Sequence, residues 1–463
     1  MSEMSASTAA FSSSVDRSQF EAVTQAGVEI TSSEELDSVY DLPACLDWLR
    51  GLGLSKVALQ LPDERLADGR RLAEALQQRQ AGLKAFLLAD TSFGSCCVDE
   101  VAAAHVEADG LIHFGPACLT RPPPSLPIHY VFLPRAPALP SLPSKGLEMV
   151  EENCVVLLYD LAYAHLAESL MQQLGEVAAL AGKQLLEARP RLPPFEPAPW
   201  TPLGRALDCT KPTAFATLFL GSQESALLTL WRLSYPETPV LCPGEETWLP
   251  QSNSLSRQLK RRLYLIEQIR DARRIGLLAG AMGVGGQCEA LERARRLVAG
   301  AGKKAYTLAV GKLNPAKLAN FAELDAFVLF ACPFGLLLDT SDYFRPLVSA
   351  FELELALNDA VGPWHPALGI CPDFTQLLID PERLQCERRE DEEGGGDVSL
   401  ITGSVRATVP RVEGSSQLQP YQPGDYLAGR SWRGLEEGPA EEAAQLEEGR
   451  KGIAAGYRTE PHS

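Results

Sequence analysis

Short apolar runs of strand length alternate with amphipathic stretches of helical length along most of this chain, and no other feature constrains its fold as strongly. Strands that alternate with helices pair in parallel, because the intervening helix returns the chain to the starting edge and covers a sheet face. The first unit reads as strands at 57–61, 84–89 and 110–114, with helices at 64–78 and 98–106 between them. A second unit starts with a strand at 154–158, continues through a helix at 161–174 and ends on a strand at 214–220. The third follows a basic helix at 255–272: strand 274–279, helix 289–299, and strands 304–310 and 326–330. Prolines at 121–143 and 190–202 break the pattern and read as linkers or crossovers. The fold class is therefore α/β: three similar lobes with mostly parallel sheets, spanning 36–145, 146–250 and 251–385.

The tails, 1–35 and 386–463, are polar, and the second is strongly acidic. Such composition buries too little apolar surface to offset the entropy of ordering, so both are expected to be mobile, with the short island 398–402 docking as a strand. With 42 Lys and Arg against 60 Asp and Glu, the net charge of −18 repels a phosphate backbone, and no basic patch offsets it. Nucleic acid is excluded as a partner on that ground. No apolar run reaches the ~18 residues a bilayer requires, and the Ser/Ala/Thr-rich start carrying Glu3 lacks the pattern of a secretory signal. A cytoplasmic location without membrane contact is the expectation, and there the eleven cysteines stay reduced.

Two segments repeat an acid, an apolar strand and a turn with Pro and Cys: Ala108 to Cys118 and Leu324 to Pro333. Cys118 and Cys332 thus lie just past the carboxyl ends of strands, the edge where open α/β sheets bind ligands. Cys96 and Cys97 occupy a comparable loop, Asp90 to Asp99, ahead of a helix whose N-terminus favours a thiolate. Two readings of these four thiols are open: buried structural cysteines, or ligands of an iron–sulfur cluster. No CxxC strengthens the second. Neighbouring side chains rarely face one centre, so only one of Cys96 and Cys97 is expected to ligate. The glycine-rich loop Gly280 to Gly286 follows a strand and opens a helix, but Cys288 stands where the dinucleotide fingerprint needs its third glycine. Neither a Ser/His/Asp arrangement nor HExxH occurs, so nothing supports a hydrolase. His105, His113, His129 and His165 stand apart and read as core or surface imidazoles.

Several of these segments resemble the radical diphthamide-forming 2-(3-amino-3-carboxypropyl)histidine synthases: Gly94 to Asp99, Leu111 to Leu119, Gly276 to Gly280, Phe327 to Pro333 and Tyr343 to Ala356. The resemblance runs from about 35 to about 380, resumes at Asp397 to Gly403 and Arg430 to Leu435, and is greatest to the accessory-subunit branch. It implies three α/β domains around a 4Fe-4S cluster and transfer of a 3-amino-3-carboxypropyl group from S-adenosylmethionine to a histidine of elongation factor 2. The catalytic pattern takes one cysteine from each lobe, and here the second lobe, ending at Leu218 to Ser222, has none. The accessory pattern implies Cys97, Cys118 and Cys332 as cluster ligands, with Cys96 an uncertain neighbour. It further implies a non-catalytic subunit in a heterodimer with the catalytic subunit, keeping the partner's cluster reduced with electrons from a small metal-binding donor protein and its reductase. A self-sufficient S-adenosylmethionine-cleaving transferase and a metal-free structural partner are the alternatives. Cys45, Cys154, Cys209, Cys242, Cys288, Cys371 and Cys386 keep the structural reading, and a weak cofactor site at Gly280 to Gly286 is left open.

Overall fold

The computed structural model describes residues 30–89, 94–120, 126–135, 150–244, 248–250, 256–280, 284–338, 340–358, 364–378 and 398–403. All of them belong to one unit, Met1–Arg411. Its frame is three sheets. The first holds β1 (Lys56–Gln60), β2 (Lys84–Leu88), β3 (Gly110–Phe114) and β4 (Ile128–Val131), all parallel in the order β2-β1-β3-β4. The second holds β5 (Cys154–Tyr159) and β6 (Gln184–Glu187), followed in sequence by a separate two-stranded ribbon, β7 (Arg189–Pro190) with β8 (Arg205–Ala206). Its remaining strands are β9 (Ala216–Leu220), β10 (Val240–Pro243) and an antiparallel edge, β11 (Trp248–Pro250), in the order β11-β10-β9-β5-β6. The third runs β13 (Lys304–Ala309), β12 (Arg274–Ala279), β14 (Ala326–Phe330), β15 (Leu347–Ser349), again parallel.

The four parallel strands of every sheet follow one plan: the chain starts in the middle, steps to one side, then crosses to the other. Each sheet therefore has a switch point between its first and third strands, where loops at the carboxyl edge part and leave a crevice. The acid of the sequence repeat has a matching task in sheets one and three. Asp109 accepts the backbone N–H groups of Ser55 and Lys56 at 3.1 and 2.9 Å, and Asp325 accepts those of Arg273 and Arg274, both at 2.9 Å. Each ties the entry of its central strand to the entry of the third. The continuous burial of β3, β5, β9 and β14 is what a sheet covered on both faces requires. The helix Gln287–Gly300 covers the third sheet with Ala290, Leu291, Ala294, Leu297 and Val298, a stripe at helical period.

Several expectations need correction. The stretch read as a linker at 121–143 contains β4, a four-residue strand too short to stand out among prolines. The helix read at 64–78 opens as a 3-10 turn, Asp63–Asp68, and becomes α-helical from Gly69, where a Cβ would come within 2.7 Å of the Leu87 side chain. The one read at 161–174 likewise opens as a 3-10 turn, Leu161–Leu166, and its α-helix reaches Leu180. The helix read from 98 starts at Glu100, because Asp99 caps it through the Ala102 N–H at 2.9 Å. Of the island 398–402, Val398 makes an isolated β-bridge and 400–402 form a turn: buried Ser399 bonds to Asp271 at 2.7 Å and accepts the N–H groups of Ile401 and Thr402 itself, which a longer strand would offer to a neighbour. Of the tail read as mobile at 1–35, residues 30–35 are described and Thr31 is buried, its N–H donating to Asp68 at 3.1 Å, so the ordered chain begins earlier than expected; residues 1–29, 386–397 and 404–463 and loop residues 281–283 lie outside the described residues.

One helix, Ala350–Leu357, carries two buried carboxylates. Glu352 meets Arg262 at 2.6 Å and closes a capping box with Ser349. Glu354 pairs with Arg293, whose Nη2 lies 2.9 Å from Oε2, and also accepts from Asn358. Removing one partner of a buried pair leaves an uncompensated charge. Arg293→Met is therefore expected to cost about 3–5 kcal/mol in urea unfolding, and Arg293→Met combined with Glu354→Leu to recover most of that loss; equal stability of wild type and single variant would contradict this role.

Candidate metal centre

Four sulfurs converge at the carboxyl edges of the first and third sheets. Cys96, Cys97, Cys118 and Cys332 place their Sγ atoms within 4.8 Å of one another. Cys97 lies 3.8 Å from Cys118 and 3.9 Å from Cys96, which is itself 3.8 Å from Cys332. Cys97, Cys118 and Cys332 are buried in the core of the third sheet, alongside Ala279 and Phe330, and Cys96 is half-buried at its margin.

Local structure explains each position. Cys332 follows β14 and precedes a 3-10 turn, Pro333–Leu337, closed by the Gly335 N–H on the Cys332 carbonyl at 2.9 Å. Cys118 stands between Gly115 and Leu119, both at positive φ (90° and 52°), so the chain doubles back on either side of it. The Gly94 to Cys97 segment is a turn held by the Cys97 N–H on the Gly94 carbonyl at 3.0 Å. The two adjacent thiols thereby come within 3.9 Å of each other, against the expectation that neighbouring side chains do not face one centre. The Cys118 N–H then donates to the Cys96 carbonyl at 3.0 Å and ties the two loops together.

Two side chains hold the turn in place: Gln60, which the sequence does not single out, and His113, which it reads as a core or surface imidazole and which is buried here. Gln60, at the end of β1 and 1% exposed, donates to the Cys97 carbonyl at 2.7 Å and to the Ser95 carbonyl at 3.4 Å, and accepts the Asp99 N–H at 3.0 Å. His113, on β3, places Nε2 3.2 Å from the Ser95 carbonyl. A carbonyl only accepts, so Nε2 carries the proton. Burial pulls the His113 pKa down and keeps the imidazole neutral. A lone Gln or His on an apolar strand was the signal, legible only once the loop opposite it is known.

Cys97, Cys118 and Cys332 hold their protons unevenly. Hydrogen bonds from Cys332, Cys96 and Cys97 hold Cys118 well on the thiolate side. Hydrogen bonding to Cys118 in turn pushes the Cys97 and Cys332 thiols well up. A soft cation entering here displaces those protons and relieves the crowding, which is how thiol sites bind metal. Donor type, number and burial fit iron or an iron–sulfur cluster, and zinc equally. The second sheet supplies no sulfur. At its corresponding end Asp160 accepts from the Ser222 N–H at 3.2 Å and the Ser225 hydroxyl at 2.5 Å. Two cavities flank the sulfurs, one of 290 Å³ reaching Cys332 beside Arg261, Arg262 and Cys371, and one of 280 Å³ reaching Cys118 beside Asp160 and Arg205. Of the cysteines given a structural reading, Cys45, Cys154 and Cys242 are buried, Cys209 and Cys371 half-buried and Cys288 exposed, while Cys386 lies outside the described residues.

Gln60→Leu removes the donor at 2.7 Å from the buried Cys97 carbonyl, at about 1–3 kcal/mol. The variant is expected to unfold at lower denaturant and to release bound metal to a chelator faster than wild type; an unchanged release rate would remove Gln60 from the site's support.

Comparison with known proteins agrees with this architecture. Residues 61–366 match the family model described as putative diphthamide synthesis protein. The chain is 36% identical over 454 residues to 2-(3-amino-3-carboxypropyl)histidine synthase subunit 2 of Caenorhabditis elegans, covering 91% of this chain and 92% of that one. It is also 36% identical over 483 residues to the Homo sapiens protein of the same name, covering 93% and 95%. The crystal structure of Dph2 from Pyrococcus horikoshii superposes with a TM-score of 0.54 at 18% identity, over 70% of this chain and 91% of that one, and so shares its fold. Three mostly parallel sheets, two of which gather four thiols at their edges, together with relatives matched over nearly their full length, lead to one conclusion: this chain belongs to the diphthamide synthesis protein family and has its role in diphthamide biosynthesis.

Proposed function

We propose that this chain is the accessory subunit of a heterodimer that performs the first step of diphthamide biosynthesis in the cytoplasm. The catalytic partner transfers a 3-amino-3-carboxypropyl group from S-adenosylmethionine to a histidine of elongation factor 2. This chain keeps the partner's cluster reduced, taking electrons from a small metal-binding donor protein and its reductase. Cys97, Cys118 and Cys332 hold a 4Fe-4S cluster for that purpose; such a cluster stores and releases one electron at a time.

The observation that carries this reading is the pocket of four sulfurs at the edges of the first and third sheets, with none from the second among the described residues. The name shared by the relatives, a synthase subunit numbered two, supports a second subunit as partner. The chain's own residues perform three tasks. The cysteines supply soft anionic donors, burial of three of them excludes water and oxidants, and Gln60 with His113 fixes the loop that carries two of them. No helix among the described residues is long and apolar enough to cross a membrane, in keeping with a site that exchanges electrons with other proteins.

One observation favours a second reading. A tetrahedron around a single metal with metal–sulfur bonds of ~2.3 Å has edges of about 3.8 Å, and the recorded sulfur contacts are 3.8, 3.8 and 3.9 Å. One zinc or iron ion would occupy such a site as a structural centre.

Purification with the catalytic subunit under anaerobic conditions, followed by counting of iron and sulfide, separates the two. Four irons and four sulfides in this chain are expected, and a single metal without sulfide would favour the structural centre. Replacing both Cys118 and Cys332 by Ala is expected to abolish iron binding and to suppress elongation factor modification driven by the protein electron donor, while modification driven by dithionite persists. Unchanged donor-driven modification by that variant would overturn the redox role.

A further inference from the structure

We propose that Cys96 is a fourth ligand, so that four thiolates of this chain close the metal centre and leave no coordination position for a substrate. The inference rests on the reading that the site holds iron, and adds which sulfurs hold it and what the site thereby cannot do.

Three observations carry it. First, Cys96 contacts two of the other sulfurs, and it is the partner of Cys332, the cysteine that the third sheet contributes, at 3.8 Å. A bystander beside Cys97 would turn its sulfur elsewhere. Second, the backbone leaves it in place: the turn closed by Cys97 on Gly94 sets both thiols on one side, and the Cys96 carbonyl is anchored by the Cys118 N–H. Third, the second sheet presents Asp160, Ser222 and Ser225, bonded to one another, to the cavity that reaches Cys118, and no cysteine of that sheet lines it among the described residues. The turn of the first sheet thus supplies two of four donors. Metal centres with a full set of protein ligands are structural or electron-transferring, whereas those that act on a substrate keep a position open. Closure by Cys96 therefore directs this chain toward passing electrons and away from binding S-adenosylmethionine at iron.

Counting ligands by substitution tests this in the full chain, reconstituted anaerobically with 57Fe and sulfide. If four cysteines ligate, Cys96→Ala, Cys97→Ala, Cys118→Ala and Cys332→Ala each leave three and retain iron, with one iron spectroscopically distinct in the Mössbauer spectrum. Pairing Cys96→Ala with any of the other three then loses the iron. The reduced wild type should show an EPR spectrum indifferent to cyanide or S-adenosylmethionine, and Cys96→Ala a spectrum that shifts with cyanide. Cys288→Ala, exposed on its helix, controls for loss of a thiol alone. If Cys96→Ala matches wild type in every spectrum while each of the other single variants loses iron, three cysteines ligate and the closure is wrong, although the cluster stands. If wild type itself binds no iron, the reading of the site as an iron centre falls, and the closure with it.

Discussion

Adjacent cysteines can serve one centre only if the backbone between them turns, and here a single hydrogen bond sets that condition. The Cys97 N–H on the Gly94 carbonyl, at 3.0 Å, folds the loop so that two thiols face inward. Gln60 then fixes the loop from β1 and His113 from β3, the two strands that flank the switch point of the first sheet. Sheet topology, loop geometry and the sulfur pocket form one chain of dependence. The strand order opens a crevice, two central strands present a polar side chain into it, and those side chains hold the loop that brings the sulfurs together.

Burial gives this arrangement its chemistry. Three thiols in an apolar core cannot all ionise, and the hydrogen bonds among them draw Cys118 toward the thiolate and push Cys97 and Cys332 toward the thiol. Such crowding favours a cation that replaces the protons. The third sheet provides the counterpart wall. It is held by the buried pairs Arg262 with Glu352 and Arg293 with Glu354, close behind the cavity that reaches Cys332.

How much of this was legible in the sequence depended on length and continuity of pattern. Strands buried on both faces, such as β3 and β14, are uninterrupted apolar runs and were placed at 110–114 and 326–330, where they stand. Edge strands of three or four residues, β4 and β15, give no such run, and β4 hid among prolines. The placing of cysteines at strand ends followed from the repeat alone. Their convergence did not, since it depends on how the edges of two sheets meet. Cys96 stayed the uncertain neighbour of Cys97, because where two adjacent thiols face depends on the turn between them, and Gln60 becomes legible only once the loop opposite it is known, because one polar residue on a buried strand has many uses. The charge of −18 lies partly in the segment after 386, outside the described residues, and bears little on the sulfur pocket.

The central claim is that this pocket of sulfurs carries iron. X-ray absorption at the iron edge, on the full chain purified anaerobically from cells grown without added chelator, addresses it most directly. The account predicts an all-sulfur first shell around iron with iron neighbours beyond it. Protein that is free of iron, or iron surrounded by oxygen and nitrogen, would contradict it.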